Sequence, residues 1–272
     1  MKEEKKFYPS FNDSMWLMIR MMFVAFVISM PMFAFFFITQ EVFHIEGEQL
    51  RSIFFLLAYV LPIFIIIRLA LQRIRQGSKV DYRLSFNILP ASSFLLIILT
   101  GLSLIVVLDP IESLVPIPDI FIESYFSMVD TDFFSFLTIV IAAPVLEEIL
   151  FRGIILEGFL HNYAPRKAIL LSALLFAGIH LNPVQMIGAL FIGIFLGWIY
   201  WKTRTLLPVI ALHFMNNLLA FLFLAVYGKQ TAASATLLDT PAYYWMVIIA
   251  VGLIATAGIW LLQKRFRKNE IV

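Results

Sequence analysis

Apolar runs of about 20 residues recur along almost the whole chain, separated by short polar connections, and they leave it few ways to fold. Backbone N–H and C=O groups find no water in hydrocarbon, so a spanning segment must satisfy them internally. Only helices or a closed barrel do so, and the alternating segments of about ten residues that mark a barrel are absent. The runs read as helices over residues 15–40, 53–72, 88–108, 133–161, 166–181, 184–202, 205–226 and 242–263. The expected fold class is all-α, a polytopic membrane protein with about eight transmembrane helices. Composition agrees: 61% of the residues are hydrophobic and 14% charged, against roughly 45–50% apolar in soluble domains. A net charge of +2 gives no reason to expect a nucleic-acid partner.

The connections carry charge in an alternating way. Arg73, Arg75, Lys79 and Arg83 follow the second run, whereas the connection over 109–132 is acidic and lacks Lys and Arg. Arg166 and Lys167, then Lys202 and Arg204, then Lys264, Arg265, Arg267 and Lys268 mark the later positive ends. Basic connections stay on the cytoplasmic side, so eight spans with both termini cytoplasmic satisfy the pattern. The absence of cysteine and the short basic tails point to a multi-pass protein of a bacterial plasma membrane. The expected divisions are a polar N-terminal tail (1–14), three spans (15–125), the segment bearing the chemistry (126–226), and a last span with a basic tail (227–272).

Within this hydrocarbon stand two adjacent glutamates, Glu147 and Glu148. A charged side chain at mid-bilayer costs at least about 2.5–3.5 kcal/mol, so both need partners, and Arg152, His180, His213 and Asn217 are the candidates. Arg152 follows Glu148 by four positions, the favoured helical order for an acid–base pair. Glu147 points about 100° away on an ideal helix and is expected to face the histidines. Glu147 lies 14 residues before His161, and His180 lies 14 residues after Arg166. The arms of a helical hairpin would then bring both to a depth of about 21 Å. His213 and Asn217, four apart, share one helix face. Phe176 precedes His180 by four and is expected to wall the pocket. Pro144, Pro183 and Pro208 read as helix breaks around a water-filled cavity.

Two chemistries suit these groups. In one, Glu147 and His180 activate water for peptide hydrolysis while His213 and Asn217 stabilise the oxyanion. In the other, Glu147, His180 and His213 ligate a divalent metal such as zinc. Neither His-Glu-x-x-His nor His-x-x-x-His occurs to decide between them.

Glu-Glu-x-x-x-Arg (147–152), Phe-x-x-x-His (176–180) and His-x-x-x-Asn (213–217), in this order on three membrane helices, resemble the CAAX prenyl protease and bacteriocin-processing family of intramembrane endopeptidases. This is the Abi family, which includes the type II CAAX prenyl proteases. The resemblance covers about 130–225 and makes 126–226 the expected catalytic domain. It implies Glu147 as base with His180, His213 and Asn217 as oxyanion donors, and Glu148, Arg152 and Phe176 as support. Both a metalloprotease and a metal-free glutamate mechanism are proposed for the family, so the zinc question stays open. The expected partners are membrane lipid and a peptide or lipidated-protein substrate, whether prenylated or of bacteriocin or signal type. Two other classes compete. A proton- or ion-coupled transporter would use the same ionisable groups as a relay, although no inverted repeat is evident. A bacteriocin-immunity or scaffold protein would keep the fold without turnover.

Overall fold

The computed structural model describes residues 7–43, 48–77, 82–115, 118, 120–121, 130–234 and 242–268. Lys79, part of the expected acidic connection, and the outer parts of both expected tails lie outside the described residues. Among those residues the chain is helical and contains no strand. The helices are α1 (Phe11–Phe43), α2 (Glu48–Gly77), α3 (Ala91–Ser113), α4 (Phe133–Asn162), α5 (Pro165–Gly178), α6 (Pro183–Thr203), α7 (Leu207–Ser234) and α8 (Ala242–Arg267).

Seven of these are long and apolar enough to cross a bilayer; the exception is α5. The chain is an integral multi-pass membrane protein. The expected fifth span, 166–181, is thus corrected: α5 has 14 residues and ends at Gly178. At ~1.5 Å per residue it reaches about 21 Å, short of a hydrocarbon core of ~30 Å. Large apolar side chains such as Phe23, Phe33, Val226 and Met246 point outward, as a lipid solvent allows.

The chain forms two compact units, Met1–Arg83 with Val129–Ala168, and Leu84–Met128 with Ile169–Val272. In the first, α1 packs on α2, and α2 runs along α4. Polar ties fix that register. Arg51 pairs with Asp130, and the Ser52 hydroxyl donates to Asp132. Asp132 also caps α4, accepting from the N–H groups of Phe134 (2.7 Å) and Ser135 (3.0 Å). That satisfies donors with no intrahelical partner. Leu150, Phe151, Ile154, Ile155 and Phe159 of α4 are buried, as are Ile63, Ile66, Ala70 and Ile74 of α2.

The expected polar tail is docked where it is described. Asn162 accepts from the Phe7 N–H (2.9 Å) and donates to the Phe7 carbonyl (2.7 Å), and the Phe7 ring stacks on His161 with centroids 4.1 Å apart. Gly158 permits this approach, because a Cβ there would lie 2.5 Å from the Pro9 carbonyl oxygen. The helix itself begins at Phe11, inside the expected tail.

In the second unit α3 is central, contacting α6, α7 and α8. Small residues allow close helix packing: a Cβ on Gly258 would meet Thr100 Oγ1 at 2.2 Å, and one on Gly101 would meet Leu212. Arg265 donates to the hydroxyls of Ser92 (3.0 Å) and Ser93 (2.9 Å), and Tyr244 donates to Asp109 (2.6 Å). These ties at opposite ends make α3 and α8 antiparallel. The segment leading into α3 is pinned where Leu206 N–H donates to the Ser85 carbonyl (2.8 Å) and Thr205 to that of Asn87 (2.9 Å).

Candidate active site

The acidic half of the candidate site lies on α4, in the first unit. This helix changes its hydrogen-bond register twice. It is π-helical over Leu137–Ala142, α-helical over Ala143–Glu148, and π-helical again over Ile149–Leu156. Pro144 accounts for the first change. It has no N–H, and its ring would clash with the carbonyl four residues back; the Ala143 N–H bonds instead to Thr138, five residues back. The second π stretch contains Gly153, whose carbonyl accepts from the Tyr82 hydroxyl. A side chain entering the ladder perturbs a helix at that point. Such π segments collect at functional sites.

The glutamates sit in the short α segment between these stretches. Glu148 is 0% and Arg152 1% exposed, with Arg152 Nη1 2.8 Å from Glu148 Oε1. The expected ion pair is present. Glu147 is 5% exposed and accepts a hydrogen bond from the Tyr59 hydroxyl of α2. The neighbouring carboxylates thus accept different hydrogen bonds, Glu148 from a guanidinium and Glu147 from a phenol. Sequence reasoning missed Tyr59; its partner is 88 positions away, and a single tyrosine in an apolar run gives no local signal.

The depth estimate for Glu147 needs correcting. It took ~1.5 Å per residue to His161, but Ile149–Leu156 is π-helical. Bonds to the fifth residue widen the turn and reduce the rise, so Glu147 lies closer to His161 than about 21 Å.

The imidazole half lies in the second unit. His180 is in the turn beyond α5 rather than on the expected span. Its Nδ1 is 2.8 Å from the Phe176 carbonyl oxygen. A carbonyl only accepts, so Nδ1 carries a proton, which leaves Nε2 for a second partner. Leu181 follows with φ of 53°, a left-handed conformation that turns the chain toward Pro183 and α6. Asn182 donates to the Phe121 carbonyl at 3.2 Å, which anchors the turn.

His213 is on α7, 6% exposed. The Phe176 ring meets His180 edge-on at 5.1 Å and His213 at 5.7 Å. One phenyl ring thus packs against both imidazoles. A Cβ on Gly193 would come within 3.2 Å of that ring, so α6 packs close against it. Asn217 lies one turn beyond His213, and its carbonyl accepts from the Asn216 amide (3.1 Å). That assigns its own N–H groups the donor role.

Among the described residues no group of three or more His, Cys, Asp or Glu side chains is placed to hold a metal ion. The expected zinc set takes Glu147 from the first unit and His180 and His213 from the second. Among the described residues neither unit alone offers a fitting cage.

Residues 130–219 match the family described as type II CAAX prenyl endopeptidase Rce1-like. Over this segment the chain is similar to the CAAX-protease-like family. The matched stretch holds Glu147, Glu148, Arg152, Phe176, His180, His213 and Asn217. Tyr59 and Tyr82, which touch its acidic helix, lie outside it. Comparison with curated proteins and with solved structures found no match. The CAAX-protease-like family is a family of proteases, which sets the class of chemistry to consider.

Proposed function

We propose that this chain is an intramembrane endopeptidase that hydrolyses a peptide bond in a membrane-associated peptide or lipidated protein. The observation that carries the reading is the unequal treatment of the two glutamates within the matched segment. Arg152 is hydrogen-bonded to Glu148, whereas the Tyr59 hydroxyl donates to Glu147. An adjacent pair divided in this way separates a structural carboxylate from a working one.

In the proposed reaction Glu147 takes a proton from water that His180 Nε2 orients, and the resulting hydroxide attacks the scissile carbonyl. His213 and Asn217 donate hydrogen bonds to the oxyanion. Glu147 then gives its proton to the leaving amine as the C–N bond breaks, which restores the carboxylate. Candidate substrates are prenylated peptides and peptides of bacteriocin or signal type.

We place the protein in a bacterial plasma membrane with both termini cytoplasmic. Phe7, Asn162 and the Arg73–Asp13 ion pair (3.6 Å) gather at one end of the first unit. Ser92, Thr205 and Arg265 mark one end of the second. Basic residues at both ends favour the cytoplasmic face.

The test is reconstitution in liposomes with a library of hydrophobic peptides, prenylated and not, read by mass spectrometry of the products. Wild-type protein should cleave members of the library. Glu147→Gln should not, while keeping its thermal unfolding midpoint. Cleavage by Glu147→Gln overturns the reading. So does a wild-type protein that leaves the library intact but drives a pH-dependent flux, which is the behaviour of a transporter. Metal analysis of the same preparation decides the zinc question.

A further inference from the structure

We infer that Tyr59 is a positioning residue for this reaction, supplied by α2 from outside the matched segment. The inference rests on the proposed function. Its own basis is the hydrogen bond from the Tyr59 hydroxyl to Glu147 Oε1.

A carboxylate on a long side chain has several rotamers, and holding one of them costs conformational entropy. A base must hold its acceptor oxygen within hydrogen-bond reach of the proton it removes. The Arg152 guanidinium does that for Glu148, but at the expense of pairing off its charge. A phenol fixes a rotamer through one directed O–H bond and adds no positive charge. Glu147 is thereby held in one orientation. The Tyr59 ring is itself braced by Phe55, with centroids 6.3 Å apart on the same helix.

The register that brings Tyr59 to Glu147 is set independently at two other points. Arg51 and Ser52 engage Asp130 and Asp132 at the start of α4, and Tyr82 engages Gly153 beyond the glutamates. The first-unit helix α2, which the family match does not include, thus acts as a rail for the catalytic helix. Tyr82 supplies the comparison: it also bonds α4, but at a backbone carbonyl rather than at the base.

The experiment uses the full-length protein in liposomes and the library peptide that wild type cleaves fastest. Tyr59→Phe should lower kcat about 10–100-fold, the scale expected when a catalytic group is misplaced by ~1 Å. KM should stay within about twofold, because substrate binding is untouched. Tyr82→Phe should lower the thermal midpoint yet keep kcat within about threefold. A thermal double-mutant cycle of Tyr59→Phe with Glu147→Ala should be non-additive, as expected of residues in contact. Wild-type kcat in Tyr59→Phe, an equal kcat loss in Tyr82→Phe, or an additive cycle each overturns the assignment. If Glu147→Gln still cleaves, the proposed function falls. If it is dead while Tyr59→Phe turns over normally, only the role of Tyr59 falls.

Discussion

Arg152 Nη1 lies 2.8 Å from Glu148 Oε1, and the two side chains are sealed at 1% and 0% exposure. Removing one member strands a charge in a low-dielectric interior, which costs about 3–5 kcal/mol. Arg152→Met should therefore lower the detergent thermal midpoint sharply and reduce yield. The double variant Arg152→Met with Glu148→Leu should be more stable than the single one, since an apolar pair leaves no orphaned charge. A double variant no better than the single would show that the pair does not act as a unit.

His180→Ala, His213→Ala and Asn217→Ala should each reduce cleavage while the protein remains folded. Removing a single oxyanion donor costs about 10²–10³-fold in kcat, and loss of the base or its partner costs about 10²–10⁴-fold. Turnover of the reconstituted variants on one common peptide measures this. Near-wild-type kcat in both His213→Ala and Asn217→Ala would remove the oxyanion assignment.

Asp132 gives the start of α4 a pH dependence of known sign. Burial works against its ionisation, but the Ser52 hydroxyl and the N–H groups of Ser135 and Phe134 more than offset this and hold its pKa below 3.8. Its contribution is thus complete above about pH 4 and is lost as pH falls through the lowered folded value. Thermal midpoints of wild type should drop on acidification below about pH 4 more than those of Asp132→Asn. Asp132→Ala, which also removes the cap, should cost about 1 kcal/mol near neutral pH. Equal acid profiles for wild type and Asp132→Asn would refute the assignment.

Gly158→Ala tests the docked N-terminal segment. The added Cβ would stand 2.5 Å from both Pro9 Cδ and the Pro9 carbonyl oxygen. Rigid atoms at that distance must move, and overpacking of this kind costs about 1–3 kcal/mol. Limited proteolysis should cut the N-terminal segment faster in Gly158→Ala than in wild type. Asn162→Ala, which removes both hydrogen bonds to Phe7, should have the same effect.

The apolar runs were legible because a bilayer imposes a length on every span, and seven met it. The ion pair was legible because Glu148 and Arg152 lie on one helix, where spacing alone sets proximity. Tyr59 was not, since contact between α2 and α4 depends on tertiary register. Pro144 announced a break, but not that the helix would continue through it in a π register. His180 was expected on a helix; Leu181 in a left-handed conformation ends that geometry just after the histidine, and a leucine does not advertise such a turn. Phe7 and Pro9 looked like part of a solvated tail because Gly158, the residue that receives them, carries no side chain to betray a contact.

The brevity of α5 has a consequence for the surrounding lipid. A rod of about 21 Å cannot match acyl tails that fill ~30 Å, so nearby lipids must shorten, splay or tilt against it. The bilayer should dimple at this arm, and bilayers of shorter-tailed lipid should accommodate the protein with the least distortion.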